Sequence, residues 1–118
     1  ELRIASRGET VRGTLQRLRS SGRRTGAILV ADEKGVLCGV FTDSDLARLL
    51  EQHRDEQLDS PVSEVMTSNP TTLRDNTSLG DAVTMLTERK ISELPIVDSA
   101  GRPVGLIDIT DVIGLSPN

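Results

Sequence analysis

The chain has 118 residues, enough for one core that buries roughly two-thirds of the surface exposed by the unfolded chain. Its 14 basic and 18 acidic side chains give a net charge of −4, and Phe41 is its one aromatic residue, which counts against nucleic acid as a partner. A lone cysteine, Cys38, excludes a disulfide framework or a thiolate metal cluster within one chain.

The first quarter of the chain carries an extended piece and a helix. Leu2 to Ala5 is predicted to be extended, and from Thr10 onward apolar residues recur at i, i+4 and i+7, the spacing of one helix side. Thr10 stands where an N-cap belongs. Seven arginines lie here, either as a solvated helix face or as a polyanion-binding patch. They are Arg3, Arg7, Arg12, Arg17, Arg19, Arg23 and Arg24.

Two strands and a second helix follow. The apolar run from Ala27 to Ala31 and a second run ending at Phe41 are predicted strands of a tight hairpin, with Gly35 supplying the positive φ of the turn. The next helix is predicted from Asp43 to His53. After it, the polar stretch from Asp55 to Ser60 is expected to be a surface link.

The remaining sequence repeats this order of elements. Its first helix begins at Ser78, which forms a pattern typical of a capping box with Asp81. An extended piece at Thr71 to Leu73 is predicted before that helix, and a hairpin with its turn at Gly101 is predicted after it. The first strand of the hairpin is Leu94 to Val97, the second ends at Ile107, and a last helix is predicted at Thr110 to Leu115.

The two halves are copies of one unit. The segment from Asp32 to Ala47 recurs from Asp98 to Ile113 at an offset of 66 residues. Each unit is too small to bury its own sheet face, so the copies should pack sheet to sheet about a pseudo-twofold axis. We therefore predict an α+β fold of two β-α-β-β-α motifs, covering residues 1–57 and 58–118. The identical pairs are Asp32 and Asp98, Gly35 and Gly101, Gly39 and Gly105, and Asp45 and Asp111.

Several motifs in fixed order accompany the repeat: Glu64-Val-Met66-Thr67, Asn69-Pro70-Thr-Thr72, the run from Ile91 to Asp98, and two Gly-x-x-(Thr/Asp)-x-x-Asp stretches. Together they resemble a pair of CBS domains, a Bateman module, over essentially the whole chain. The stretch from Gly39 to Arg48 is also similar to a signature of arabinose 5-phosphate isomerases, in which a sugar-isomerase domain precedes the CBS pair. That likeness implies an N-terminal isomerase domain in a longer parent protein. The absence of Met before Glu1 also leads us to expect that the chain is a piece of a longer protein. Stand-alone CBS proteins and other CBS-bearing enzymes are the alternatives.

The resemblance implies a ligand site in the crevice between the copies. Thr42 lies where strand becomes helix, so its hydroxyl and the first helical N–H groups can face a phosphate. Asp45 can accept two hydrogen bonds from a ribose diol. The base would lie near Thr72 and Pro95.

The cation that would bind the phosphate has three candidates in this sequence. Family members that bind adenine nucleotides often have His or Arg just before the Leu-Pro, where this chain has Ser92 and Glu93. Arg48, Arg24 or Lys90 are the candidates to replace it, although cations on a helix surface are often simply solvated.

The second copy departs from the pattern. Asp108 occupies the place of Thr42, and a carboxylate repels a phosphate unless a cation intervenes. Asp111 can still hold a ribose. We expect this second site to be weaker, or empty of phosphorylated ligands.

Structural explanations compete with these roles. Thr42, Asp43 and Asp45 are favoured in helix caps on stability alone. The recurrence of Asp45 as Asp111, without the capping residue, favours function. Asp43 and Asp45 lack the third oxygen ligand of a calcium loop, so no metal is expected, and His53 is predicted to lie on the surface.

The sequence disfavours an enzyme, because one histidine, one cysteine and no phosphate loop offer no catalytic set. A regulatory module needs only a cleft and an interface with two arrangements. The expected ligand is an adenosine nucleotide or a CMP-sugar, such as CMP-Kdo acting as a feedback inhibitor. The alternative is an unliganded scaffold, and the resemblance implies a homodimer through the helices. No apolar run approaches the ~20 residues of a membrane span, and the lone cysteine fits the cytoplasm.

Overall fold

The computed structural model describes residues 2–18, 27–89, 91 and 93–108. Within them the chain forms two sheets and three α-helices, together with two short 3₁₀ helices at Asp55–Asp59 and Val62–Glu64. The elements are β1 Ile4–Ser6, α1 Val11–Leu18, β2 Ile28–Ala31, β3 Leu37–Phe41, α2 Asp43–Glu51, β4 Thr67–Ser68, β5 Leu73–Arg74, α3 Leu79–Glu88, β6 Glu93–Val97 and β7 Pro103–Asp108.

The first sheet has the order β1-β2-β3-β4, with β1 parallel to β2 and the other pairs antiparallel. All four residues of β2 are buried, because both faces of this inner strand are covered. On one face, Ile28 and Val30 join Val11, Leu18 and other residues in the main core. On the other face, Leu29 belongs to a second cluster with Ala27 and Val40.

The second sheet, β5-β6-β7, repeats the first in register. β5 is parallel to β6 and β6 is antiparallel to β7, as for β1, β2 and β3. On α3, Ala82 and Leu86 face the core, one helical turn apart. The predicted helix at 110–115 lies outside the described residues.

The two halves meet through their hairpins and sheet faces. Leu37 N donates to Gly101 O at 2.9 Å, and Leu106 of β7 packs against the second cluster of the first sheet. Both turn glycines have the predicted positive φ, +82° at Gly35 and +84° at Gly101. The predicted α+β architecture of two mixed sheets is therefore confirmed.

Some predicted boundaries were wrong. The second helix ends at Glu51 instead of His53, because His53 has a left-handed φ of 58° and Arg54 N bonds back to Leu49 O. The polar stretch after it, predicted as a surface link, contains a 3₁₀ helix with no buried residue. The sequence also did not predict β4, which pairs with β3. No helix in the described part of the chain is long and apolar enough to cross a membrane.

Candidate ligand-binding site

The start of α2 is fixed by two side chains that were predicted as ligand contacts. Thr42, the N-cap, has extended backbone angles, and its Oγ1 accepts from Asp45 N at 3.1 Å. Asp45 Oδ2 in turn accepts from Thr42 N at 2.9 Å. This reciprocal capping box ties down two backbone N–H groups that would otherwise lack partners in the first turn.

Asp45 is also held by a cation. It is only 7% exposed, and its Oδ1 accepts from Arg48 Nη1 at 3.1 Å. The Arg48 side chain is 59% exposed, so it covers the carboxylate while its other N–H groups reach solvent. A carboxylate has about four acceptor positions, and the bonds to Thr42 and Arg48 leave capacity for a ligand hydroxyl.

A hollow of about 140 Å³ lies beside this carboxylate. It runs along α2 and is closed by the segment around the second 3₁₀ helix. Two of its residues, Asp45 and Arg48, were predicted site residues; the polar Gln52, Arg54 and Glu64 were not. Glu64 opens one of the motifs quoted above, but only the fold shows that it faces α2. The lining residues are Asp45, Arg48, Leu49, Gln52, Arg54, Glu64 and Val65.

The other predicted site residues lie in the second half. Thr72 is exposed just before β5, whereas Pro95, in β6 opposite Leu106, is fully buried. Asp108 ends β7, where its backbone pairs with Glu93. Asp111 lies outside the described residues, as do the candidate cations Arg24 and Lys90. The structure thus joins Thr42, Asp45 and Arg48 in one bonded group.

The described residues offer several hydrogen-bonding groups beside Asp45. Burial raises the pKa of the Cys38 thiol, which keeps it protonated and unreactive. Within the same residues, no group of three or more His, Cys, Asp or Glu side chains is placed to hold a metal ion. The hollow offers carboxylates, guanidinium groups and an amide, which recognise hydroxyl and phosphate groups by hydrogen bonding.

Comparison with known proteins identifies the family. The profile of the CBS domain matches residues 2–52 and 62–118. This chain belongs to the CBS domain family. CBS domains are non-catalytic modules. The predicted resemblance to a tandem CBS pair is confirmed.

Arabinose 5-phosphate isomerases are among the relatives of this CBS pair. It is 43% identical to isomerase GutQ of Salmonella typhi over 86 residues, 73% of this chain and 26% of GutQ. It is 33% identical to isomerase KdsD of Pseudomonas aeruginosa over 106 residues, 90% of this chain and 32% of KdsD. The CBS pair thus spans about a quarter to a third of the length of these two relatives.

Solved CBS structures share the fold. The crystal structure of CBSX2 in complex with AMP superposes with a TM-score of 0.77 and 29% identity, covering 96% of this chain and 85% of CBSX2. In this CBS pair the start of the second matched range packs on the first domain, since Val62 is fully buried in its core and Met66 packs against it. The division at 57 and 58 stays a prediction.

Proposed function

We propose that this CBS pair is a regulatory module that binds a nucleotide or nucleotide sugar at the start of α2. One observation carries the proposal: Asp45, a carboxylate in the first turn of α2 that is only 7% exposed, borders a polar hollow that runs along the helix as far as Arg54. Its remaining acceptor positions suit a ribose diol. The N–H groups of the first turn and Arg48 suit a phosphate.

The base of the ligand is assigned to the second half, near Thr72 and Pro95. Pro95 is buried in this structure, so base binding requires the two halves to separate locally. Such a ligand favours one arrangement of the halves over the other, which is how it would regulate. The second site, with Asp108 and Asp111, is proposed to be weaker, because Asp108 would repel a phosphate.

Relatives support both the ligand class and the parent. CBSX2, which shares the fold at 29% identity, was crystallised with AMP. The likeness to GutQ and KdsD supports a place for this chain in an arabinose 5-phosphate isomerase that also has a sugar-isomerase domain. In that setting the ligand would be an adenosine nucleotide or a CMP-sugar such as CMP-Kdo, acting on the isomerase.

Calorimetric titration with AMP, ATP, CMP and CMP-Kdo tests this function. We expect one of the four nucleotides to bind the chain. Asp45→Asn should lower the affinity for that nucleotide about 10-fold or more, because a hydrogen bond to a charged group contributes about 1.5–3 kcal/mol. Asp81→Asn is the matched control, since Asp81 N also donates to an N-cap hydroxyl, that of Ser78. If none of the four binds, the proposed function is wrong.

The ranking of the two sites has its own test. Asp45→Ala should weaken binding far more than Asp111→Ala in the same titration. Equal losses would show that both domains contribute alike.

A second candidate function is an oligomerisation scaffold. An open groove of about 280 Å³ between α1 and the first 3₁₀ helix is lined by Leu15, Leu58, Arg12 and Gln16, and Leu50 on α2 is 48% exposed. These apolar surfaces favour a homodimer through the helices. Light scattering that shows a stable dimer, with no ligand raising the melting temperature, would favour the scaffold.

A further inference from the structure

Arg3 is a buried guanidinium group that the site described above does not use. The residue is only 9% exposed, and its Nε and Nη1 are buried without a hydrogen-bond partner among the described residues. Burying a cation without compensation costs several kcal/mol. By contrast, Arg7, Arg12 and Arg17 nearby are about half exposed and each pairs with a carboxylate.

The strand register places Arg3 on the same sheet face as the main core. Ile4 pairs with Leu29, and Arg3 O accepts from Leu29 N at 2.9 Å, so Arg3 lies beside Ile28. Ile28 is in turn opposite Phe41. Side chains in one row across a sheet share a face, and Ile28 and Phe41 both lie in the main core.

The same register places Arg3 at the end of the sheet where α2 begins. Phe41 ends β3, and Thr42, the N-cap of α2, follows it directly. Two interstrand spacings of about 4.8 Å separate Arg3 from Phe41, roughly 10 Å in all. The backbone of Arg3 thus lies within the reach of a long arginine side chain from the residue that precedes α2.

The nearby buried carboxylate does not bond to Arg3. The oxygens of Asp45 accept from Thr42 N and from Arg48. Repeat symmetry also sets Arg3 apart, because the offset that aligns Ala5 with Leu73 places Thr71, an exposed residue, at its position in the second half. A cation here is therefore a feature of the first CBS domain alone.

We propose that Arg3 is the anion-binding residue of the first domain, which holds the phosphate of the bound ligand together with the N–H groups at the start of α2. This inference rests on the proposed nucleotide site and adds to it the group that recognises the charge. The guanidinium fork can bind two phosphate oxygens at once. The second half has threonine at this position, which is a further reason to expect the first site to bind a phosphate more tightly.

The test compares AMP with adenosine, which differ only in the phosphate. We expect Arg3→Met to lower the affinity for AMP at least 10-fold and to change that for adenosine less than twofold. Arg3→Lys, which keeps the charge but loses the fork, should retain part of the AMP affinity. Arg7→Met, which removes one exposed positive charge, is the control for net charge and should bind AMP as the wild type does.

Melting curves supply a second readout that does not need a nucleotide. Inorganic phosphate, against sodium chloride of equal ionic strength, should raise the melting temperature of the wild type and leave that of Arg3→Met unchanged. Without ligand, Arg3→Met should melt higher than the wild type, because an uncompensated buried charge is removed. A purely structural arginine would give the opposite, a lower melting temperature with the phosphate effect intact, and would overturn the inference.

The outcomes separate this inference from the proposed function. If Arg3→Met binds AMP as tightly as the wild type, the inference is wrong and the nucleotide site stands. If no nucleotide binds but phosphate stabilises the wild type and not Arg3→Met, the anion site stands and the proposed function falls. If neither phosphate nor any of the four nucleotides affects the wild type, both are wrong.

Discussion

Asp45 has a structural and a proposed functional role. It closes the capping box with Thr42 and accepts from Arg48, yet it keeps acceptor positions beside a hollow. A carboxylate already fixed by a cap and a cation loses little side-chain entropy when a ligand binds. The two explanations weighed from the sequence are therefore compatible, and a substitution at Asp45 has to be assessed by stability as well as by affinity.

His53 is the residue whose replacement should stabilise the fold. It occupies the left-handed C′ position after α2, where its own N donates to Leu50 O and Arg54 N donates to Leu49 O. A left-handed conformation costs a non-glycine residue about 1–2 kcal/mol. Glycine avoids this cost, but the gain is partly offset because glycine loses more backbone entropy on folding. We expect His53→Gly to raise the free energy of unfolding by about 0.5–1 kcal/mol in urea denaturation. His53→Ala, which keeps the strain, should show no gain; an equal gain would refute the explanation.

Residue-level prediction from the sequence succeeded where the signal is local. The Thr-x-x-Asp spacing of Thr42 and Asp45 predicts a cap, and the cap is there. The burial of Arg3 was not predicted, because it depends on the register of β1 against β2. Glu64 likewise meets α2 only because the chain returns to that helix after the first 3₁₀ helix.

At the scale of elements, the two hairpins repeat one hydrogen-bond pattern. Asp32 Oδ1 accepts from Val36 N and Lys34 N, and Asp98 Oδ1 accepts from Arg102 N and Ala100 N. These backbone N–H groups stabilise the ionised carboxylates. They hold the pKa of both aspartates below the ordinary value of 3.8.

This pattern predicts acid sensitivity with a definite sign. Since the folded-state pKa lies below the unfolded one, the stabilisation is complete above the unfolded pKa and is lost as pH falls through the folded value. The melting temperature should therefore fall between about pH 5 and about pH 2. In the double variant Asp32→Asn, Asp98→Asn that fall should be shallower. The same slope as in the wild type would assign the acid sensitivity to other groups.

Gly39 in β3 is fixed by Met66, the residue just before the neighbouring strand β4. A Cβ there would lie 2.7 Å from Met66 Cε and would also overlap Met66 Sδ, whereas at the equivalent Gly105 the nearest atom, Ile96 Cδ1, is 3.3 Å away. We expect Gly39→Ala to cost about 1–3 kcal/mol in urea denaturation and Gly105→Ala less. In a Met66→Ala background the cost of Gly39→Ala should shrink. An undiminished cost would show that Met66 is not its cause.

The internal repeat made most elements predictable, but equivalent residues of the two halves are not always buried alike. Val11 is 1% exposed but its equivalent Leu79 is 59% exposed, although both fit the same helical pattern. Val11 is covered because the segment after the first 3₁₀ helix returns to it, with Val11 N donating to Ser60 O and Val62 packing in the same core. Periodicity shows which side of a helix is apolar, but it does not show which passing segment covers that side.

At the scale of the whole molecule, the two CBS domains share a topology and differ in chemistry. The first has the full capping box, the hollow and Arg3. The second has threonine in place of Arg3 and Asp108 in place of Thr42. They meet where Leu37 bonds to Gly101 and Leu106 covers the first sheet. A ligand at the first domain that reaches β6 would bias this contact, which is the coupling a regulatory module requires.

Amide chemical-shift mapping by NMR during titration with AMP or CMP-Kdo shows which residues contact the ligand. We expect saturable shifts at the N–H groups from Thr42 to Asp45, and none at the start of α3 around Asp81, which lies away from the hollow. Shifts confined to the groove between Leu15 and Leu58, or no shifts with either nucleotide, would contradict a ligand site at the start of α2.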